Sequence, residues 1–474
     1  MILPPVKSDG DSLSQSPSEE LASALNLLRS IIAAPEHQQL LNPKERPVNS
    51  MVYTHGVTLW MLVLQRLGGG KTLNEVVSQI ISHDRDLLPD NKRVRENTLS
   101  GNSAAYSQAR KRLPLEMLFE FSNRVCNYLG QISEPLIEGR RVFILDGTTI
   151  TLPPTKALQE AYPPASNQHG TSVWPVAQLM VANEMQSGCA LLPQVDPMYG
   201  ANRVSEAVQA HRIVKQLPTS SIVMADTGFG IYSVAHHATD AGHDFLFRLT
   251  KKRFKSLRRQ AELIDEGPTH KTHHLLWEPS ANDRKSNPDL PQDASIEAVL
   301  HEVEVSSDMT LYLVSGLELD GPTTAQIYRR RYDVEFDIRD VKVTLDTENI
   351  RAKSVEMFKK ELYTSIVAYN LVTQFRRQAA KLSRVKPRRL SFKGVWTTLK
   401  DRLLLQPACS LQEWIDRYAE ALYRASQTKL PQRKQPRSYT RKAHFRRPKT
   451  TKFQKSQHKM TGPEDESPPP LETK

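Results

Sequence analysis

Two aspartates and one glutamate carry the strongest chemical signal in this sequence. Asp146 follows the apolar run Val142–Leu145, and Asp226 follows a second apolar run, Ser221–Ala225. Each run reads as a buried strand, so the two carboxylates are set side by side if those strands are neighbours. Glu335 belongs to a helical stretch together with Tyr328, Arg331 and Lys342. At roughly 100° per residue these four fall within about 60° of one another, forming one polar stripe. A separate apolar stripe, Ile327, Val334, Ile338, Val341 and Leu345, runs beside it. Carboxylates converging from separate elements suit phosphodiester chemistry, in which two divalent ions stand ~3.5–4 Å apart. Mg²⁺ prefers hard oxygen ligands and keeps several waters, so few side chains suffice to hold it. In that chemistry Glu335 binds metal, Arg331 and Lys342 meet phosphates, and Tyr328 stacks on a displaced base. The plainer reading of the stripe is an exposed helix laced with ion pairs such as Arg331–Glu335.

The elements that must position these residues follow from periodicity and punctuation. The chain has 474 residues, 39% of them apolar. That is enough for a sizeable core and for two to four domains. Residues 1–17 are polar and Pro/Ser-rich, as in a disordered segment. Residues 18–135 read as all-α. A first helix begins near Ser18 and a second spans 52–67, ended by Gly68-Gly69-Gly70. A third opens on a Thr72/Glu75 capping box, and one or two more cover 103–130. Arg110, Lys111 and Arg112 are expected exposed there, as DNA contacts if this region binds DNA; a helical cap on the next domain reads equally well. Residues 136–250 form the first α/β part. Its strands are near 142–152, 173–181, 189–195, 221–225 and 245–249, with helices over 203–216 and 231–242. Residues 251–321 read as a β-rich insertion, with strands at 296–305 and 309–315. Helix returns over 322–380, opened by a Thr323/Gln326 capping box. C-terminal helices fill 381–425, and 426–474 is a basic tail expected to be disordered.

Charge narrows the class of partner. Lys plus Arg number 64 and Asp plus Glu 52, a balance of +12, and residues 426–460 hold twelve cations and no acid. A basic tail on a neutral body suits nucleic acid; a solvated solubility tail is the bland alternative. Arg248, on the last core strand, and the tail arginines are candidates for phosphate contacts. No apolar run reaches membrane-spanning length, and Cys126, Cys189 and Cys409 form no disulfide or zinc pattern. A cytoplasmic protein is expected. Gly68–Thr72 reads as a turn rather than a phosphate-binding loop, and His270, His273 and His274 as solvated loop histidines. His236 and His237 read as packing or surface residues.

The spacing Tyr328-x2-Arg331-x3-Glu335-x6-Lys342 resembles the signature of IS4-family insertion-sequence transposases. Stretches around Asp146 (Ile144–Thr148), from Trp174 to Leu179 and around Asp226 (Ala225–Tyr232) are similar to the same family, as are 245–251 and 105–114. The resemblance implies an α/β, RNase H-like catalytic core interrupted by a β-rich insertion, with Asp146, Asp226 and Glu335 as the metal-binding acidic triad. It further implies two Mg²⁺ ions, replaceable by Mn²⁺, and double-stranded DNA partners, namely terminal inverted repeats and target DNA. A homodimer in the DNA complex and cut-and-paste transposition complete the expectation. By the same resemblance Tyr328 and Arg331 hold a flipped nucleotide and Lys342 a nearby phosphate, while Trp277 is either a stacking residue or part of the core. A catalytically silent DNA-binding regulator and an RNase H-like nuclease are the alternatives.

Overall fold

The computed structural model describes residues 52–431, except 83, 84, 86, 87, 132, 133, 169 and 405–410. The expected N-terminal disorder, the helix near Ser18, Cys409 and nearly all of the basic tail lie outside the described residues.

The fold is mixed α/β, built on a ten-stranded central sheet. β1 (Val142–Thr151) pairs antiparallel with β3 (Gly170–Glu184), which also pairs with β2 (Pro164–Asn167) and β4 (Gln194–Pro197). On the other side β1 runs parallel to β5 (Ile222–Ala225), and β5 parallel to β6 (Asp244–Arg248). The runs Val142–Leu145 and Ile222–Ala225 are buried on both faces, as their unbroken apolar sequence requires. Alternate residues divide between two cores. Phe143, Leu145, Val223, Ala225, Phe245 and Phe247 face one layer, where α5 (Glu206–Val214) and α6 (Tyr232–Asp240) pack. Val142, Ile144, Ile222, Met224 and Leu246 face the other, beneath the helix that carries Glu335. Burying each such side chain contributes roughly 1.5–3 kcal/mol.

The segment 251–321 extends this sheet. β10 (Met309–Ser315) bonds antiparallel to β6, then come β9 (Ile296–Ser306), β8 (His270–Trp277) and β7 (Glu262–Gly267). The last two strands were not expected from the sequence. Their polar, histidine-rich faces hide the alternation, and the three histidines lie on β8 rather than in a loop. His270 bonds Asp265 at 2.9 Å, His274 pairs with Glu297 at 2.7 Å, and His273 is buried. Trp277 is buried against the edges of Tyr232 and Phe245, on the sheet face away from Glu335, so it belongs to the core.

A third core surrounds α10 (Val355–Leu382), a 28-residue helix about 42 Å long. Phe358, Leu362, Ile366, Tyr369, Val372 and Phe375 are buried along it. Against it pack α1 (His55–Leu67), α3 (Ala104–Arg112), α4 (Leu115–Gln131) and α11 (Leu411–Ser426). α2 (Leu73–Ser82) opens on the capping box read from the sequence, with Thr72 and Glu75 exchanging hydrogen bonds. Arg110, expected exposed, is buried. It and Arg66 both bond to Glu361 of α10, which pulls the guanidinium inward; Lys111 and Arg112 are exposed. Among the described residues no helix is long and apolar enough to cross a membrane.

Candidate active site

Strand register brings two of the acids together. β1 and β5 pair in parallel as Val142↔Ile222 and Ile144↔Met224. Two residues further in that register stand Asp146 and Asp226, on the same face as Ile144 and Met224. Past this point β1 continues with β3 alone, Asp146 lying opposite Val181. The parting of β1 from β5 opens the space into which both carboxylates project. Asp146 accepts from the Gly147 amide at 2.9 Å, and Asp226 accepts from the Gly228 amide at 2.8 Å, which fixes each side chain locally.

The loop after Asp226 is held closely. A β-carbon at Gly230 would stand 2.3 Å from the Arg248 carbonyl oxygen, so only glycine fits where this loop crosses the end of β6. Arg253 donates to the carbonyls of Thr227 (2.8 Å) and Gly230 (3.3 Å). It belongs to α7 (Lys251–Leu257), the start of a cationic surface of Lys251, Lys252, Arg253, Lys255, Arg258 and Arg259. Sequence reasoning missed that surface, although six cations without an acid in nine residues were there to be counted.

The helix carrying the polar stripe begins at α8 (Gly321–Tyr328). Its cap is Asp320, which accepts from Thr323 at 2.8 Å, rather than the Thr323/Gln326 box, because Pro322 suits the first turn and starts the helix earlier. It tightens to a 3-10 turn over Arg329–Tyr332, continues as α9 (Asp333–Arg339) and widens to a π turn over Asp340–Thr344. The stripe is therefore not one regular helix, a departure often found where side chains must be re-aimed. Its inner side is bolted down. Arg388 forks onto buried Asp337 at 2.5 and 2.7 Å, and Arg330 donates to the Met185 carbonyl at 2.7 Å. Val334 and Tyr328 face the core, and at 3% exposure Tyr328 has no free face on which to stack a base. Burial pushes its phenol well above the ordinary range.

Glu335 points outward, its side chain 53% exposed, and bonds to Arg331. Arg331 also stands 3.7 Å from Asp146, so one guanidinium bridges two of the three acids. Lys342 reaches β1 instead of solvent, donating to the Thr149 carbonyl at 2.9 Å and lying 3.4 Å from the Thr148 hydroxyl. Arg248 ends β6 opposite Leu313 and acts electrostatically on Tyr328.

The electrostatics register the crowding of negative charge. Burial, with the carboxylates of Asp226 and Glu335 adding to it, pushes Asp146 up to about 6 against the pull of Arg331. Because the folded protein then binds this proton more tightly than the unfolded chain, the ionised carboxylate costs stability. That cost grows from about pH 4 to pH 6 and stays constant above. Asp146→Asn is thus expected to stabilise the protein by about 1–2 kcal/mol at pH 7.5 in EDTA, and by nothing measurable at pH 4. Thermal melts at the two pH values check this; equal melting temperatures at pH 7.5 would contradict it.

Three hard-oxygen donors from three elements, two of them sharing one cation, suit a hard divalent metal. Among the described residues no three His, Cys, Asp or Glu side chains already form a metal-holding group, and Arg331 stands between Asp146 and Glu335. Glu335 acts on Asp146 electrostatically from its place beside Arg331.

Comparison with known proteins shows what the chain is similar to. The family model described as "Transposase DDE domain" matches residues 137–371, a span holding all three acids. Over 341 residues the chain is 23% identical to "Transposase InsG for insertion sequence element IS4" of Escherichia coli (strain K12), covering 70% of this chain and 73% of that protein. A piggyBac transposase synaptic complex with hairpin DNA, solved by cryo-EM, aligns over 84% of each chain at 11% identity, with a TM-score of 0.41. The chain carries a transposase DDE domain over residues 137–371 and is similar to the IS4 transposase over most of its length.

Proposed function

We propose that this transposase excises and inserts its element by cut-and-paste chemistry on double-stranded DNA, with Asp146, Asp226 and Glu335 as the metal-binding triad. The observation that carries this reading is the common register of Asp146 and Asp226 on the sheet face covered by the Glu335 helix, with the Asp146 carboxyl raised by burial and, to a lesser extent, by the other two acids. The strand order β4-β3-β1-β5-β6, with β1, β5 and β6 parallel, supports an RNase H-like core, and residues 251–321 then form its insertion.

Asp146 and Asp226 would hold Mg²⁺ or Mn²⁺ from fixed strand positions, and Glu335 would complete the set. Two such ions, when bound, activate a water and stabilise the leaving 3′ oxygen. The chain's own residues bind and orient DNA. Arg331 lies beside the acids, where a phosphate would sit; Lys342 lies against Thr148 and Thr149 of the strand that carries Asp146, and the cationic surface 251–259 flanks the Asp226 loop. The 3′-OH released by hydrolysis would attack the opposite strand, joining the two strands at the element's end and displacing the flanking DNA; a second water would open that junction and regenerate the 3′-OH, which then attacks target DNA, so no covalent protein–DNA bond is needed. Two copies pairing the two inverted ends, acting in the cytoplasm on the nucleoid, complete the reading.

The test is a duplex carrying the inverted ends that flank the gene, incubated with and without Mg²⁺. Cleavage and end-joining that EDTA abolishes are expected. Binding without cleavage in either Mg²⁺ or Mn²⁺ would instead identify a silent regulator, and cleavage without joining a nuclease.

A further inference from the structure

We propose that Glu206 is a fourth carboxylate of this site, reaching the water shell of the divalent ion that Asp146 holds. The inference rests on the reading of Asp146, Asp226 and Glu335 as metal ligands, and it adds a residue outside the Tyr/Arg/Glu/Lys stripe. Glu206 opens α5, where Ser205 caps the helix by accepting from the Val208 amide at 3.3 Å. That helix covers the sheet face opposite the one beneath the Glu335 helix. A β-carbon at Gly147 would stand 2.3 Å from Glu206 Oε1 and 2.8 Å from its Cδ. The carboxylate thus fills the room that a side chain next to Asp146 would need. Asp146 accepts from the amide of the same glycine at 2.9 Å. One glycine therefore lies between two carboxylates that approach β1 from opposite faces. They do so beyond the Ile144↔Met224 pair, where β1 has parted from β5 and its edge is open.

A glutamate in the first turn of a helix also complements the helix dipole, but that ordinary role asks for no contact with β1. Glu206 is exposed, and among the described residues it has neither a hydrogen bond nor an ion pair. The arginine of its own helix, Arg212, is engaged with Asp196 at 2.9 Å. Arg331 serves Asp146 from the Glu335 side of the sheet. Glu206 is thus an unneutralised carboxylate pressed on the residue beside another carboxylate, and a hard divalent ion answers that charge. Mg²⁺ keeps several of its waters, so a carboxylate need not touch the ion to hold it. Groups that fix the ligands and waters of a metal contribute about 10- to 100-fold to its affinity.

The experiment follows Mn²⁺ binding by the full chain through the electron paramagnetic resonance of the free ion. In parallel, cleavage of a duplex carrying the inverted ends gives the Mg²⁺ concentration for half-maximal rate. Glu206→Gln is expected to weaken Mn²⁺ binding and to raise that Mg²⁺ concentration by about 10- to 100-fold, the rate at saturating Mg²⁺ falling less. Gly147→Ala should shift both readings the same way, because its β-carbon displaces Glu206 while Asp146 keeps its amide bond. Adding it to Glu206→Gln should then cost nothing further. A glutamate that serves the helix dipole alone gives a different result: Glu206→Gln melts lower in EDTA and binds Mn²⁺ as wild type does. That result, or wild-type Mn²⁺ binding by Gly147→Ala, would overturn the assignment. Failure of the wider reading is separate and shows as a wild-type chain that binds no Mn²⁺ and cuts no DNA.

Discussion

Alanine at Asp146, Asp226 or Glu335 is expected to lower single-turnover DNA cleavage by at least about a thousandfold, roughly 4 kcal/mol of barrier. DNA affinity should hold or rise, since each change removes a negative charge from the surface facing phosphates. The three positions differ in what else they disturb. Asp146 and Asp226 project from a sheet whose strands are buried on both faces, so their loss leaves the frame intact. Loss of Glu335 frees Arg331, which keeps Asp146 as its remaining carboxylate partner in this cluster. Added Mn²⁺ should raise the melting temperature of wild type and of none of the three variants. A variant that cuts at more than a tenth of the wild-type rate would remove its residue from the triad. A wild type that neither cuts nor gains stability with metal would remove the triad altogether.

The second large effect concerns stability. Glu361 of α10 sits between Arg66 of α1 and Arg110 of α3, all three buried, with fully buried Lys360 next to it. Burial pulls the Arg66 guanidinium down, and Glu361 is what holds it up. Glu361→Ala would leave two buried guanidiniums facing each other without their shared carboxylate. Removing one partner of a buried pair costs about 3–5 kcal/mol, and here two cations lose theirs. A urea midpoint or hydrogen exchange in α1 and α3 reads that loss. A change below about 1 kcal/mol would mean that water or Glu356, paired with Lys360, takes over the charge.

Much of the site was legible because it rests on local rules. An apolar run of four ending in an acid, met twice, places Asp146 and Asp226 at the same height if the strands pair in parallel, and they do. The Thr72/Glu75 box is likewise a contact between residues three apart. What was not legible depends on partners distant in sequence. Arg110 sits in a run of three cations, and only the location of Glu361, 251 residues away, makes it the buried one. Tyr328 and Tyr332 are both helix tyrosines, and which faces water is decided by a 3-10 turn that periodicity at 100° per residue does not anticipate. β7 and β8 escaped because their exposed positions carry Leu263, Ile264 and Leu276 while Thr272 and His273 lie inside.

The pairing of β10 with β6 has a consequence for anyone wishing to shorten this protein. Excising 251–320 and rejoining the ends would leave Phe245–Arg248 with a row of unpaired amides and carbonyls along the core's flank. Such a bare rim recruits other chains, so a trimmed enzyme would precipitate before its chemistry was ever assayed. A minimal version has to keep β7 to β10, because dropping β7 and β8 would bare β9 in the same way.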